Sequence, residues 1–442
     1  MILIQNGHLV DPVLGIDEPM DIFIADTTVS LLQKHLTEDA CIAHVKNKLK
    51  QKLSPGRGLT VIDATDLIVA PGFVDTHVHF RDPGFTEKED VHTGALAAAA
   101  GGYTSVIMMA NTRPSLDSPE VLQDLLARAG KEAIHVYACA NVTKGMAGKE
   151  LTDFVALKAA GARGLTDDGL PILQEALLSE ALQKATALSL PVSLHEEDPA
   201  YIKEPGINAG NEACVRFGLT GADRMAEISM VERDIKLAAR NQSILCIQHV
   251  SCKETVDLLR KYKKKNPNLH AEGTPHHFSL TEEILLEKGT LAKVNPPIRT
   301  EKDRQAILKG LCDGTLDLIA TDHAPHTAGE KQRSFTGAPS GMIGLETALS
   351  LALKELVQKK GLPLSALIRL MSTNPANLYG LPAGTLKPGS PADLVLFHPE
   401  KERIVSPRFH SKSTNSPFVG MRLPGVIRYT IASGKIAFSE NA

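Results

Sequence analysis

Short apolar runs alternate with stretches of helical spacing through the middle of the chain, an alternation that predicts a layered α/β fold. The first run, residues 67–75, leads directly into His77 and His79. Further runs follow at 104–110, 134–140, 163–166, 191–195, 244–249, 268–273 and 316–321, and segments such as 118–128 and 172–188 carry apolar residues at helical spacing between them. Eight strand candidates, each followed by helix or loop, make a (β/α)8 TIM-like barrel the leading architecture and a doubly wound open sheet the alternative. A further apolar run at 291–294 reads as loop, because Pro296 and Pro297 follow it.

The two ends have a different texture. Residues 2–10, 21–24, 60–62, 393–397 and 427–436 are short β-like pieces, most of them bounded by Gly, Pro, Asn or Asp. Each end alone has too few strands to bury a face, so together they predict one small β domain formed by both termini. The expected division is 1–66 and 384–442 for that domain and 67–383 for the barrel. Residues 31–58 stand out; their lysines Lys46, Lys48, Lys50 and Lys52 lack interleaved aromatics and read as a solvated helical face, not a nucleic-acid patch.

Composition narrows the function classes. With 442 residues, 43% hydrophobic and 22% charged, the chain suits a large catalytic domain plus a smaller one. A net charge of −3 gives no basic footprint for nucleic acid or membrane. The six cysteines are scattered without Cys-x-x-Cys spacing, which fits buried free thiols in a reducing compartment. The start lacks signal-peptide character and no apolar run reaches membrane-spanning length, so a cytoplasmic protein is expected.

His77 and His79 leave a strand on the same side and can hold one metal ion together, although such a pair alone is unspecific. Arg81 and the turn Asp82-Pro83-Gly84 put a cation beside it, which suits an anionic substrate. Asp167 and Asp168 follow the fourth run, His195 and His249 end the fifth and sixth, and Asp322 follows the eighth. Singly, each has a structural alternative as a turn, a cap or a satisfied histidine. Together they occupy the C-terminal strand ends, where barrel enzymes build their sites. Four imidazoles and two carboxylates suit zinc or a similar divalent ion and suffice for two ions.

Beyond these residues, the chain resembles the dihydroorotases, of the longer bacterial class within the amidohydrolase superfamily. The resemblance runs through the 72–84 motif, Met108-Met109-Ala110-Asn111-Thr112, Thr166-Asp167-Asp168-Gly169, Leu194-His195-Glu196-Glu197, His249-Val250-Ser251, Gly273-Thr274-Pro275-His276-His277, Lys293-Val294-Asn295-Pro296-Pro297 and Ala320-Thr321-Asp322-His323-Ala324-Pro325-His326. It implies reversible conversion of N-carbamoyl-L-aspartate to L-dihydroorotate in pyrimidine biosynthesis. It further implies one or two zinc ions per subunit, the first on His77, His79 and Asp322, the second on His195 and His249. Asp168, with Asp167 as second choice, replaces the carboxylated lysine that bridges the metals in many relatives; residues 163–168 contain no lysine, and Lys158 lies upstream in a helical stretch. Arg81, Asn111, Asn295 and His326 match substrate contacts, and Asp322 the general base and acid. A small-molecule substrate, a homodimer and association with aspartate transcarbamoylase are also implied. Ala110, where relatives usually have proline, and the long 31–58 segment depart from the pattern.

Two other classes compete: an allantoinase or hydantoinase sharing the metals but not the anion pocket around Arg81, and an inactive partner-subunit homologue, which would have lost ligands. None of the six is missing. Residues 327–341 have no apolar periodicity and read as a connection. Their position after His326 predicts a lid, mobile without ligand and ordered over substrate. Backbone donors at Ala338 and Gly341 would then meet the substrate carboxylate as a helix over 342–356 begins.

Overall fold

The computed structural model describes residues 1–48 and 58–440. Its centre is a parallel barrel whose strands pair in chain order. Phe73–Val78, Tyr103–Met108 and His135–Ala138 form one parallel sheet, and Val192–Leu194, Leu245–Ile247, Leu269–Gly273 and Leu318–Ile319 form another. The fourth run is reduced to Leu165, which bridges Ala140 on one side and Val192 on the other. Closure comes from a parallel bridge between Val78 and His323, reinforced by the His79 N–H donating to the His323 carbonyl at 2.8 Å. Asp75 adds a clamp across this seam, accepting from the Thr321 hydroxyl at 2.5 Å and its amide at 3.1 Å. The closed barrel thus replaces the open-sheet alternative.

Period-two alternation divides the strand residues between two cores. Val74, Ile107, Cys139, Cys246 and Leu318 cluster with Leu378, Tyr379 and Leu381. The helix Asn374–Leu378 thereby plugs one end of the barrel, leaving the ends that carry the candidate ligands for chemistry. Phe73, Val106, Met108 and Ala138 belong instead to the large core beneath the surrounding helices. Those helices follow their sequence signals. Pro119–Ala129 starts on the Ser118 cap with proline in its first turn, buries Leu122, Leu125 and Ala129, and stops at Gly130. The 172–188 stretch yields Glu175–Ala187, and the 291–294 run forms no strand.

The first apolar run is two strands, not one. Ile68–Pro71 pairs with Leu394–Ile404 and His8–Asp11 in a six-stranded sheet, while Phe73–Val78 begins the barrel. Gly72 sits between them because a Cβ there would lie 2.2 Å from Thr104 Oγ1. That sheet also contains Ile16–Pro19, Arg422–Ala432 and Lys435–Ser439, so both termini interleave in it. A second sheet joins Thr28–Gln33, Asp21–Ala25, Ile2–Gln5 and Thr60–Asp63, and Leu9, Val69, Leu394 and Leu396 pack against Ile4, Ile22 and Ile24 between the two. The helix Glu38–Lys48 carries the start of the lysine run; its remainder lies outside the described residues. Among the described residues no helix is long and apolar enough to cross a membrane.

Candidate metal and substrate site

All six candidate ligands are buried and meet at one end of the barrel. His77 is the penultimate residue of its strand and His79 follows the last, their rings 5.2 Å apart. His79 Nε2 is 3.0 Å from Asp322 Oδ1, and His77 Nε2 is 3.6 Å from the same oxygen. On the other side His195 Nδ1 and His249 Nε2 are 3.0 Å apart. Asp168 stands between the groups. Its Oδ1 faces His77 Nε2 at 3.5 Å, His195 Nδ1 at 3.8 Å and His249 Nε2 at 3.9 Å, and its Oδ2 faces His79 Nε2 at 3.5 Å. Two sets, His77/Asp168/His249 and His77/His79/Asp322, are compact enough for an ion. Asp167 points elsewhere: its carboxylate accepts from the amides of Val142 and Thr143, a structural role that removes it as the bridge.

The donor chemistry fits a divalent cation. His77 Nε2 is buried with no hydrogen-bond partner, while its Nδ1 donates to the buried Glu272 at 3.0 Å, so the free lone pair faces the cluster. Glu272 also accepts from the Thr76 hydroxyl at 2.9 Å. His195 has a comparable outer partner, with its Nε2 3.0 Å from Glu197. Burial opposes a positive charge here, but the charges of Asp168 and Glu272 outweigh it and draw a proton or a cation to His77 Nε2. Burial likewise opposes ionisation of Asp168, yet the imidazoles, His77 first, keep its carboxyl far below the carboxylate range. Asp322 is held low in the same way, chiefly by the bond to His79. Arg81, His249 and Asp322 have φ of 59°, 31° and 49°, left-handed values seldom adopted without glycine. Such strain clusters where the surrounding structure fixes functional side chains.

A cavity of about 180 Å³ opens over the cluster, and its lining includes Arg81, Asn111, Asn295, His326, Ser340 and Gly341. Arg81 Nε donates to the Pro325 carbonyl at 3.2 Å, and the guanidinium lies against His326, 3.4 Å from its Nε2. Burial, helped by the Arg81 charge, pushes His326 down to about 2; the neutral ring donates to the Ser340 carbonyl at 2.8 Å. Asn295 Oδ1 is buried without a partner. Asn111 is already engaged. It accepts from His79 Nδ1 at 3.0 Å and donates to Asp168 Oδ2 at 3.0 Å, so it orients two ligands as well as lining the cavity.

Ala338 is outside the cavity lining, and its N–H donates to the Ser334 carbonyl at 2.8 Å. The Gly341 N–H is also committed, to the Lys293 carbonyl at 2.8 Å. No helix starts at 342; Met342 bridges His323, and the helix begins at Ala348–Ala352. Residues 327–341 are not a plain connection. They contain the capped helix Ala328–Lys331, and two buried lysines hold the remainder. Lys293 Nζ donates to the carbonyls of Phe335 and Ala338, both at 2.7 Å, and Lys331 Nζ to those of Pro339 at 3.0 Å and Gly341 at 2.9 Å. Sequence reasoning also passed over Glu272 and Glu197. A lone acid inside the apolar strand Leu269–Gly273 was the available signal. The other histidines nearby serve the fold, His277 bonding Thr274 and the Pro296 carbonyl and His323 bonding Glu89 and the Gly344 amide.

Residues 68–437 match the amidohydrolase family. Proteins named dihydroorotase are similar throughout: that of Clostridioides difficile (strain 630) is 46% identical over 439 residues, 99% of this chain and 100% of its own length, and that of Clostridium acetobutylicum is 46% identical over 441 residues, the whole of both chains. Among solved structures, L-hydantoinase (dihydropyrimidinase) from Arthrobacter aurescens superposes with a TM-score of 0.84 at 24% identity, covering 98% of this chain and 95% of its own. D-hydantoinase from Thermus sp. gives 0.83 at 23%, covering 100% and 96%. The structural likenesses bear on the fold alone. With 46% identity to those dihydroorotases over the full length and the ligand cluster intact, the chain belongs to the amidohydrolase family and, within it, to the dihydroorotases.

Proposed function

We propose that the protein interconverts N-carbamoyl-L-aspartate and L-dihydroorotate in pyrimidine biosynthesis as a zinc-dependent cyclic amidohydrolase. The observation that carries this reading is the Arg81 guanidinium in the wall of the cavity over the ligand cluster. Hydantoin and allantoin carry no ring carboxylate, whereas dihydroorotate does, and a planar fork of donors matches that group.

Four imidazoles and two carboxylates suit one or two zinc ions, with Asp168 as the shared ligand in place of a lysine. Bound there, the ions would polarise the scissile carbonyl and lower the pKa of a water. Asp322, ionised and facing the cavity, takes the proton of the attacking water and delivers it to the ring nitrogen as the amide C–N bond breaks. In the biosynthetic direction the same carboxylate removes a proton from the ureido nitrogen as that nitrogen closes on the side-chain carboxyl and water leaves. Arg81 holds the substrate carboxylate, His326, its ring N–H held by the Ser340 carbonyl, shapes the wall beside it, and Asn295 Oδ1 accepts from a ring N–H. Asn111 keeps His79 and Asp168 in register. Gly341 shapes the wall beside His326.

Turnover of dihydroorotate, hydantoin and allantoin by purified protein of known metal content tests the proposal. Strong preference for dihydroorotate is expected; preference for either neutral ring would overturn it. The reading extends to a cytoplasmic homodimer that associates with aspartate transcarbamoylase, which light scattering of the chain alone and with that enzyme decides.

A further inference from the structure

Between the strands Leu394–Ile404 and Arg422–Ala432 the chain leaves the small domain, and residues 411–418 run against the barrel. Ser411, Ser413, Asn415, Ser416 and Phe418 are buried there. Ser413 Oγ donates to the Lys88 carbonyl at 2.7 Å, Lys412 Nζ to the Thr86 carbonyl at 2.8 Å, and the Ser411 hydroxyl to the Glu89 carboxylate. This strap is therefore fastened to the segment that follows the first barrel strand.

Asn415 is its working end. Its Oδ1 accepts from the His326 N–H at 3.1 Å, and its Nδ2 donates to the carbonyls of Ala324 and Gly341, both at 3.1 Å. Its own carbonyl accepts from the Ile343 N–H at 3.1 Å. Two of these partners flank Pro325, which has no N–H of its own and whose carbonyl receives Arg81 Nε. One amide thus grips both sides of the peptide that seats Arg81, fixes the backbone of His326, and ties both to Gly341 across the cavity wall. Only an amide can do so, because one atom must accept and the other donate twice. None of these bonds involves the six clustered ligands.

We propose that Asn415, from the C-terminal part of the chain, is a positioning residue for the substrate's carboxylate. It sets the wall made by Arg81, His326 and Gly341 without touching substrate or metal, which makes recognition depend on the small domain's strap as well as on the barrel. The inference rests on the dihydroorotase reading of that wall.

The test compares Asn415→Ala and Asn415→Asp with wild type in the full-length, metal-loaded protein. Steady-state kinetics on dihydroorotate, metal content, thermal midpoint and hydrogen exchange over residues 323–343 are measured together. The aspartate keeps the acceptor for the His326 N–H and loses both donated bonds, so it reports even where alanine fails to fold. KM should rise about tenfold or more with kcat changed by less than about threefold, metal content should be unchanged, and exchange at His326 should quicken in the alanine variant. Unchanged KM despite faster exchange would overturn the proposal, and so would loss of kcat in proportion to metal. If wild type ignores dihydroorotate, the functional reading fails by itself; KM for the hydantoin or allantoin it then turns over, beside exchange at His326, still decides whether Asn415 sets the wall.

Discussion

Glu272→Gln separates the charge behind the metal cluster from its shape. Glu272 is fully buried, accepts from His77 Nδ1 at 3.0 Å and from the Thr76 hydroxyl at 2.9 Å, and lies 3.4 Å from the His249 amide. Glutamine keeps the volume, its carbonyl can accept from His77, and the Thr76 hydroxyl can turn to accept from the new amide. The Thr76 hydroxyl hydrogen then loses its bond to this side chain, so stability should fall by about 1–3 kcal/mol. What disappears is the negative charge that makes His77 Nε2 a stronger base. Outer partners of this kind are worth about 10- to 100-fold in metal affinity, or about 1.4 to 2.7 kcal/mol. Competition with a chelator during zinc titration reads that loss directly, and excess metal should restore turnover. Glu272→Ala is the contrast: it leaves two buried donors unpaired, each costing about 1–3 kcal/mol, and should lower the thermal midpoint markedly. Zinc affinity of the glutamine variant within twofold of wild type would refute the reasoning.

Asp322→Asn should retain metal and lose about 10²- to 10⁴-fold in turnover, whereas Asp168→Ala should lower metal stoichiometry itself; metal analysis beside kinetics distinguishes them, and full activity in either variant contradicts its role. Arg81→Lys keeps the charge but not the planar fork, so KM for dihydroorotate should rise about tenfold, and unchanged kinetics would mean that Arg81 is structural. Burial, followed by the charge of Lys293, pushes Lys331 down to about 7 from an ordinary 10.5. The unfolded chain then holds a proton that the fold has shed between those values, so stability should rise as pH climbs through that window; denaturant titrations should show Lys331→Met flattening the rise, and an unaltered slope would contradict the shift.

Periodicity made the barrel legible, because the strands carry apolar runs and five of the eight runs end beside a residue able to bind metal. Where it misled, a longer-range contact decided. The run ending at Asp75 is uniformly apolar, and only the clash that any side chain at Gly72 would make with Thr104 reveals that it serves two sheets. The ligands were visible since they end strands; the residues that support the site were not, since Glu272 bonds His77 and Asn415 bonds His326 across 195 and 89 positions of sequence. Ala338 was misjudged for a similar reason. A Gly- and Ser-rich segment normally signals solvent, and nothing local indicates that Lys293 and Lys331 bury their side-chain nitrogens against its carbonyls.

The interleaved six-stranded sheet bears on how the chain is made. Strands at residues 8–11, 16–19 and 68–71 emerge early from the ribosome, but their neighbours in the sheet begin at residue 394. Until then Ile68–Pro71 has an open edge, the kind of surface on which nascent chains pair wrongly. The barrel waits too, because His77 and His79 leave the first strand and Asp322 follows the last, with closure formed between Val78 and His323. The six-stranded sheet therefore cannot finish until synthesis is nearly complete, whereas the barrel can close once residue 323 has emerged, so the small domain is the last part of the chain to form.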